Sequence, residues 1–454
     1  MDFESKKALL EKAKEANGLA FKEIDTKGRL ELATTKGQFG HIIEESLFEY
    51  DINSSKTADF DELNVELKVT PFKKLNNGTY SAKERLVLNI INYLTEHQYS
   101  FYESSFWQKN QSLLLMFYEF IEEMPLEDFK IFDSILYEYP EQDLKIIKND
   151  WQIIIQKIKD GLAHEISEAD TMYLAACTKG ASSLSTRPQS FSNIPAKQRA
   201  YSFKTSYMTQ LLNDYVLGYK TSEKIIKNPE ELENKYFEEI VLDKFKPFLG
   251  KSKDQLKSIL DVHSTAKNDN ALIVAKILDI SDIKNADEFV KANIKTKTIK
   301  QSYKGTIKES MSFPAFKFTE IIKEEWESSH LRDTFAMTKF LFVVFTEQKD
   351  KTLILTKALF WHMPESVLDT EVKTVWDDTV AKIKAGKILK EVNDNQRFTH
   401  FMGIKDNPVS HVRPKALNAL DTYPLPVKDI LSGADEYTKQ CFWLNAQYIR
   451  KVIA

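Results

Sequence analysis

Two stretches of this chain, about 225 residues apart, carry one pattern. Leu136-Tyr-Glu-Tyr-Pro-Glu141 is followed by Trp151, Lys157-Ile-Lys159 and Gly161, and Phe360-Trp-His-Met-Pro-Glu365 is followed by Trp376, Lys382-Ile-Lys384 and Gly386. The spacing from Trp151 to Gly161 is that from Trp376 to Gly386. Upstream, Ser104-Ser-Phe-Trp-Gln-Lys109 is echoed by Ser328-Ser-His-Leu-Arg-Asp333, each ahead of an apolar run; downstream, Ser202 to Met208 pairs with Trp443 to Ile449. Self-similarity of this kind means two copies of one fold, and two copies account for 454 residues without a third domain. The reading is a first copy over residues 1–216, a Lys/Glu-rich helical linker over 217–252, and a second copy over 253–454. Because the repeat is broad and the tryptophans hold one place in it, both are expected to be core residues.

Within the first copy, Thr57-Ala-Asp-Phe-Asp-Glu-Leu-Asn-Val-Glu-Leu-Lys-Val-Thr-Pro-Phe72 concentrates the chemistry. Val65, Leu67 and Val69 alternate with Glu66, Lys68 and Thr70, the period of a strand, which puts Glu66 and Lys68 on one face about 7 Å apart. Asp59 arrives from the preceding turn. Two carboxylates and an ammonium so placed can hold a hard divalent cation and orient a water beside it, as a phosphodiesterase requires. The bland alternative is that Glu-x-Lys is merely the wet face of a sheet, where each charge contributes under about 1 kcal/mol.

Composition narrows the classes. The formal charge of −4 gives no global basic field, so any nucleic-acid contact must come from local clusters such as Lys68, Lys73 and Lys74. Only Cys177 and Cys441 occur, with no paired cysteines or histidines at zinc spacing, which fits a reducing cytoplasm. No apolar run approaches a membrane span and the N-terminus has no apolar signal core. Phosphate-binding glycine loops and the serine-hydrolase elbow are absent from the sequence.

Residues 4–16 read as a surface helix ended by Gly18. In Lys36 to Phe48, Phe39, Ile42, Ile43 and Leu47 follow helical spacing, with Glu44 at the border of the stripe, either leaning toward the Glu66 strand or solvated like Glu45. Lys83 to Tyr93 and Ser112 to Ile121 fit buried strands, or a strand and a helix. Residues 143–160 read as a helix and 180–196 as a long polar loop that reaches into a groove. Laying the second copy over the first puts Glu288 on Asp59, Lys295 on Glu66, Ala275 on Glu44 and Lys267 on Lys36. The second copy is therefore expected to keep the fold and lose the metal.

These residues resemble a known family. Lys36-Gly37 with Glu44, then Asp59, Glu66 and Lys68 followed by Val-Thr-Pro, is similar to the signature of the MutH and Sau-type GATC-specific type II restriction endonucleases of the PD-(D/E)xK superfamily. The similarity extends over nearly the whole chain, through Thr70 to Leu75, Glu84 to Tyr93, Ala176-Cys-Thr-Lys-Gly-Ala181, Met311-Ser-Phe313, Ala315 to Phe318, Trp376-Asp-Asp-Thr-Val380 and His411-Val-Arg-Pro414. It implies a mixed α/β class with two tandem nuclease folds, each a mixed central sheet flanked by helices. It implies Mg²⁺ as cofactor, held by Asp59, Glu66 and the main chain of Leu67, with Glu44, Asp59, Glu66 and Lys68 catalytic. Double-stranded DNA at GATC would be cut before the G, and the inactive second copy would bind another GATC as an allosteric effector. DNA contacts fall to Lys36, Lys109, Thr178, Lys179, Gly180, Lys204, Arg413 and Lys415. Dimers on DNA and a cognate methyltransferase belong to the same picture. MutH proteins carry an aromatic residue near the place of Ser202, where adenine methylation is sensed, so Ser202 points to indifference. Two other readings stay open: a non-catalytic DNA-looping protein, and a repair nickase run by partners.

Overall fold

The computed structural model describes residues 3–32, 37–50, 52, 57–180, 185–219, 222–264, 269–393 and 396–454. Lys36 and Lys267 lie outside them. The chain forms two compact units, one of residues 1–240 with 284–293, the other of 241–283 with 294–454.

The first unit is organised by a four-stranded mixed sheet in the order β2-β1-β4-β5, with β1 Glu66–Lys74, β2 Tyr80–Ala82, β4 Leu113–Glu119 and β5 Ile131–Tyr137. β4, reading Leu-Leu-Leu-Met-Phe, is apolar on both faces and accordingly lies inside the sheet, parallel to β1 and antiparallel to β5. Leu113 to Phe117 are all but fully buried, each worth about 1.5–3 kcal/mol. A second sheet joins β3 Leu86–Ile90 and β6 Leu174–Thr178 to either side of β9 Arg199–Phe203. The stretch read as a long polar loop carries a hairpin, β7 Thr186–Gln189 with β8 Ser192–Lys197, so much of its reach is set by ladder hydrogen bonds.

Helix Glu141–Lys159 follows β5 and buries Ile146, Ile147, Trp151, Ile154, Ile155 and Ile158 along one stripe. It stops at Gly161, whose φ of +71° and 2.5 Å approach of a would-be Cβ to the Phe191 carbonyl oxygen admit no side chain. The helix Lys373–Lys384 of the second unit ends the same way: Gly386 has φ +64° and a would-be Cβ 2.6 Å from the Lys428 carbonyl oxygen. Trp376, like Trp151, is buried.

The second unit repeats the topology. β10 Ile294–Ser302 lies parallel to β12 Lys339–Glu347, which pairs antiparallel with β13 Leu353–His362. Beside them, β11 Met311–Phe316 and β16 Ser410–Pro414 flank β19 Gln440–Leu444. Two short hairpins complete it, β14 Leu389–Asn393 with β15 Gln396–Thr399 and β17 Thr422–Pro424 with β18 Glu436–Thr438. Registers fix the correspondence between the copies. Glu66 pairs with Leu113 and Leu113 with Tyr137; Lys295 pairs with Phe340 and Phe340 with Trp361, the aromatic that answers Tyr137 in the repeat. Asn64 and Asn293, each two residues before those strand positions, share a left-handed φ of +54°. Lys295 thus stands where the first copy has Glu66. One sequence pairing shifts: the helix N-caps are Ser104 and Ser329, so Ser104 answers Ser329 and not Ser328.

Candidate active site

β1 delivers Glu66 at its first residue, and the tight turn before it delivers Asp59. The two acids are tied through the backbone: the Asp59 N–H donates to Glu66 Oε2 at 3.2 Å, and the Leu67 N–H donates to Asp59 Oδ2 at 2.9 Å. Phe60 and Val65 close the turn by exchanging main-chain hydrogen bonds of 2.9 and 3.2 Å. Glu66 is 2% exposed, which rules out the solvated-face reading of Glu-x-Lys. Its Oε1 accepts from the Lys68 ammonium and lies 3.5 Å from Lys109 Nζ. Lys109, read from sequence only as a DNA contact, comes from the helix Ser105–Asn110 into the acid cluster itself.

Glu44 arrives from the other side. The helix Gln38–Ile42 buries Ile42 and Ile43, stacks Phe39 on Phe21 at 3.9 Å, and then widens into a π-turn over Ile43–Leu47. Such one-residue expansions recur at functional sites. In the second copy the helix Asp269–Ile277 remains α-helical. Counting back from the left-handed residues Glu49 and Asp279, Tyr50 N–H reaches the Glu44 carbonyl six positions back, while Ile280 N–H reaches that of Ala275 five positions back. The first copy holds one extra residue there, and Ala275 stands in the place of Glu44.

Burial, then the nearby charge of Asp59, raises Glu44 from 4.5 to about 7; Lys68 pulls against this and Glu66 adds to it. Glu66 is also pushed upward, by burial first, with Lys68 opposing. Two carboxyls held reluctant to ionise beside a third are what a cation would relieve. Among the described residues no three His, Cys, Asp or Glu side chains form a ready cage. Mg²⁺ does not need one, since it takes one or two carboxylates and fills its shell with waters and phosphate oxygens. Asp59 and Glu66 fit that demand.

The remaining sequence-read residues are not gathered here. Thr178 and Gly180 are exposed and Lys179 half-buried at the end of β6, where Lys179 N–H donates to the Gln198 carbonyl at 2.7 Å. Lys415 holds the equivalent place after β16, its N–H on the Lys439 carbonyl at 2.9 Å and its ammonium on the Phe313 carbonyl at 2.6 Å. Arg413 is exposed and lies 3.7 Å over the Trp443 ring. Lys204 is a correction. It is 3% exposed and donates to the Thr171 carbonyl, so it is an internal cation and cannot read bases. Its place just after β9, where the chain turns into the helix Thr205–Leu211, points it inward. The acid kept by the second copy is likewise spent inside the first unit: Glu288, fully buried, accepts from Ile225 N–H at 2.9 Å, Ile226 N–H at 3.1 Å and the Gln142 amide at 2.7 Å. Sequence reasoning missed Tyr50, which follows the π-turn of Glu44 and whose buried phenol feels the charges of Asp59, Glu44 and Glu66; its pairing with Ile280 in the repeat was the available signal.

Residues 48–150 match the family model described as DNA mismatch repair enzyme MutH. The chain is 40% identical over 483 aligned positions to the type II restriction enzyme Sau3AI of Staphylococcus aureus, covering 99% of this chain and 98% of that protein. It is 25% identical over 215 positions to the DNA mismatch repair protein MutH of Vibrio vulnificus (strain YJ016) and 26% over 220 to that of Vibrio campbellii. These matches span 45% and 46% of this chain but 92% and 93% of the MutH proteins, the ratio expected when one copy of a doubled fold is matched. Fold, buried acid cluster and similarity together define a site-specific deoxyribonuclease. The chain belongs to the MutH-like type II restriction endonucleases. Among the described residues no helix is long and apolar enough to cross a membrane.

Proposed function

We propose that this protein is a Mg²⁺-dependent restriction endonuclease that cuts both strands of DNA before the G of GATC, using residues 1–216 for chemistry and residues 253–454 to bind a second GATC as effector. The observation that carries the reading is the buried Glu66, which accepts from the Asp59 N–H while Asp59 accepts from the N–H of the next residue, Leu67, and which also accepts from Lys68. Asp59, Glu66 and the Leu67 carbonyl would hold the cation, which when bound supplies Lewis-acid polarisation of the scissile phosphate and a more acidic water. Before DNA arrives, Lys68 and Lys109 offset the charge of Glu66. With the phosphate in place, the Lys68 ammonium turns to the charge developing on its oxygens. Glu44, placed by its π-turn, takes up the water's proton. The water oxygen bonds to phosphorus, the bond from phosphorus to O3′ breaks, and the 3′ oxygen takes a proton from solvent, leaving a 5′-phosphate and a 3′-hydroxyl.

Thr178, Lys179 and Gly180, with Arg413 and Lys415 in the second copy, are the proposed groove contacts, and Lys36 and Lys109 are proposed as further DNA contacts. Arginine or lysine donation to guanine O6 and N7 would supply the specificity. The loss of Glu44 and Glu66 to Ala275 and Lys295 supports a non-cutting second copy. Ser202 is fully buried, which favours indifference to adenine methylation. A cytoplasmic location, dimers on DNA and a companion methyltransferase complete the proposal. The test is incubation of purified protein with an unmodified plasmid bearing GATC, with Mg²⁺ or with EDTA. Linear product ending at GATC with Mg²⁺ alone is expected. Nicking only would favour a partner-controlled nickase, and binding without cleavage a DNA-looping protein.

A further inference from the structure

Tyr50 sits just past the π-turn that carries Glu44, and the steps above make no use of it. Its N–H donates to the Glu44 carbonyl at 3.1 Å, and its ring meets the edge of Phe60, the residue after Asp59, at 5.7 Å. The phenolic oxygen is sealed from solvent and has no hydrogen-bond partner among the described residues. Buried tyrosine hydroxyls ordinarily find one, and an orphan calls for an explanation. Burial, then the charges of Asp59, Glu44 and Glu66, holds the phenol far above its usual range, so it stays an O–H donor. In the second copy the residue at this point, after the left-handed Asp279, is Ile280, which packs but cannot donate. The hydroxyl is thus absent from the copy that has also lost Glu44 and Glu66. A role in packing alone is met by isoleucine.

We propose that Tyr50 is a positioning residue: its phenolic O–H donates to the ionised Glu44 carboxylate once the acids are assembled on substrate, and so fixes Glu44 toward the attacking water. The inference rests on the reading of Glu44, Asp59 and Glu66 given above. Among the described residues the hydroxyl is unsatisfied; in the proposed assembled site it is not. Removing it should therefore stabilise the metal-free protein and weaken the assembled site.

The experiment compares Tyr50→Phe, Glu44→Gln and the double variant in single-turnover cleavage, and measures their melting in EDTA. Tyr50→Phe is expected to cleave about tenfold more slowly with KM within twofold, while its metal-free Tm rises by about 2 °C or more. In the Glu44→Gln background the same change should cost less than twofold, since its partner is gone. An unchanged rate for Tyr50→Phe, an unchanged rate for Glu44→Gln, an equal loss in both backgrounds, or a lowered metal-free Tm each overturns the proposal. Glu66→Ala separates the two levels: full cleavage by that variant removes the site itself, whereas its inactivity beside an unaffected Tyr50→Phe removes only the role of Tyr50.

Discussion

Glu44→Gln should make the metal-free protein more stable at alkaline pH and leave it unchanged in acid. The folded protein holds the Glu44 proton up to about pH 7, while the unfolded chain releases it near 4.5. Between those values the folded state binds more protons, so stability falls as pH rises through the interval. An interval of about 2.5 pH units at roughly 1.4 kcal/mol per unit gives a ceiling of about 3.5 kcal/mol. Glu44 is partly exposed, and solvent screening reduces this to about 1–2 kcal/mol. Glutamine keeps the shape and has nothing to ionise. At pH 8 in EDTA the variant should melt about 2–6 °C above the parent, and at pH 4 the two should coincide. Mg²⁺, which favours the ionised acids, should narrow the gap at pH 8. Melting scans from pH 4 to 8 with and without the cation decide it. Parallel curves for parent and variant in EDTA would refute the placement of Glu44 against Asp59 and Glu66.

Lys204→Met should lower the urea midpoint by the equivalent of about 3 kcal/mol, because the ammonium serves the Thr171 carbonyl and offsets the buried Asp150 carboxylate. DNA affinity lost at unchanged stability would return Lys204 to the interface. Gly161→Ala should cost about 2–4 kcal/mol in the same assay, since both the positive φ and the Phe191 carbonyl oppose a Cβ; an unchanged midpoint contradicts that geometry. Arg413→Ala should weaken binding to a GATC-bearing duplex by about 1–3 kcal/mol relative to a duplex lacking the site, without altering Tm. An equal loss on both duplexes would take Arg413 out of the groove and leave it on the phosphate backbone.

The doubled architecture and the acid–lysine strand were legible because both are written in local spacing. Alternation over Val65 to Thr70 yields a strand whatever surrounds it, and Trp151 to Gly161 matched against Trp376 to Gly386 requires two helices stopped alike. Register pairing then placed Lys295 at the position of Glu66, as the overlay of the two copies expected. Burial was another matter. Glu66 and Lys204 are both charged residues bordering strands, and no pattern distinguishes an acid sealed among other charged side chains from a lysine sealed onto a carbonyl. Which one faces a groove depends on segments far away in sequence, Ser105–Asn110 for Glu66 and Thr171 for Lys204. The same holds for Glu288, whose acid character survived the repeat while tertiary packing turned it to the amides of Ile225 and Ile226. Periodicity determines backbone form through nearest-neighbour sterics and solvent. The direction and partner of a charged side chain are settled only when distant strands close around it, because the cost of burying a charge depends on every group that comes within reach.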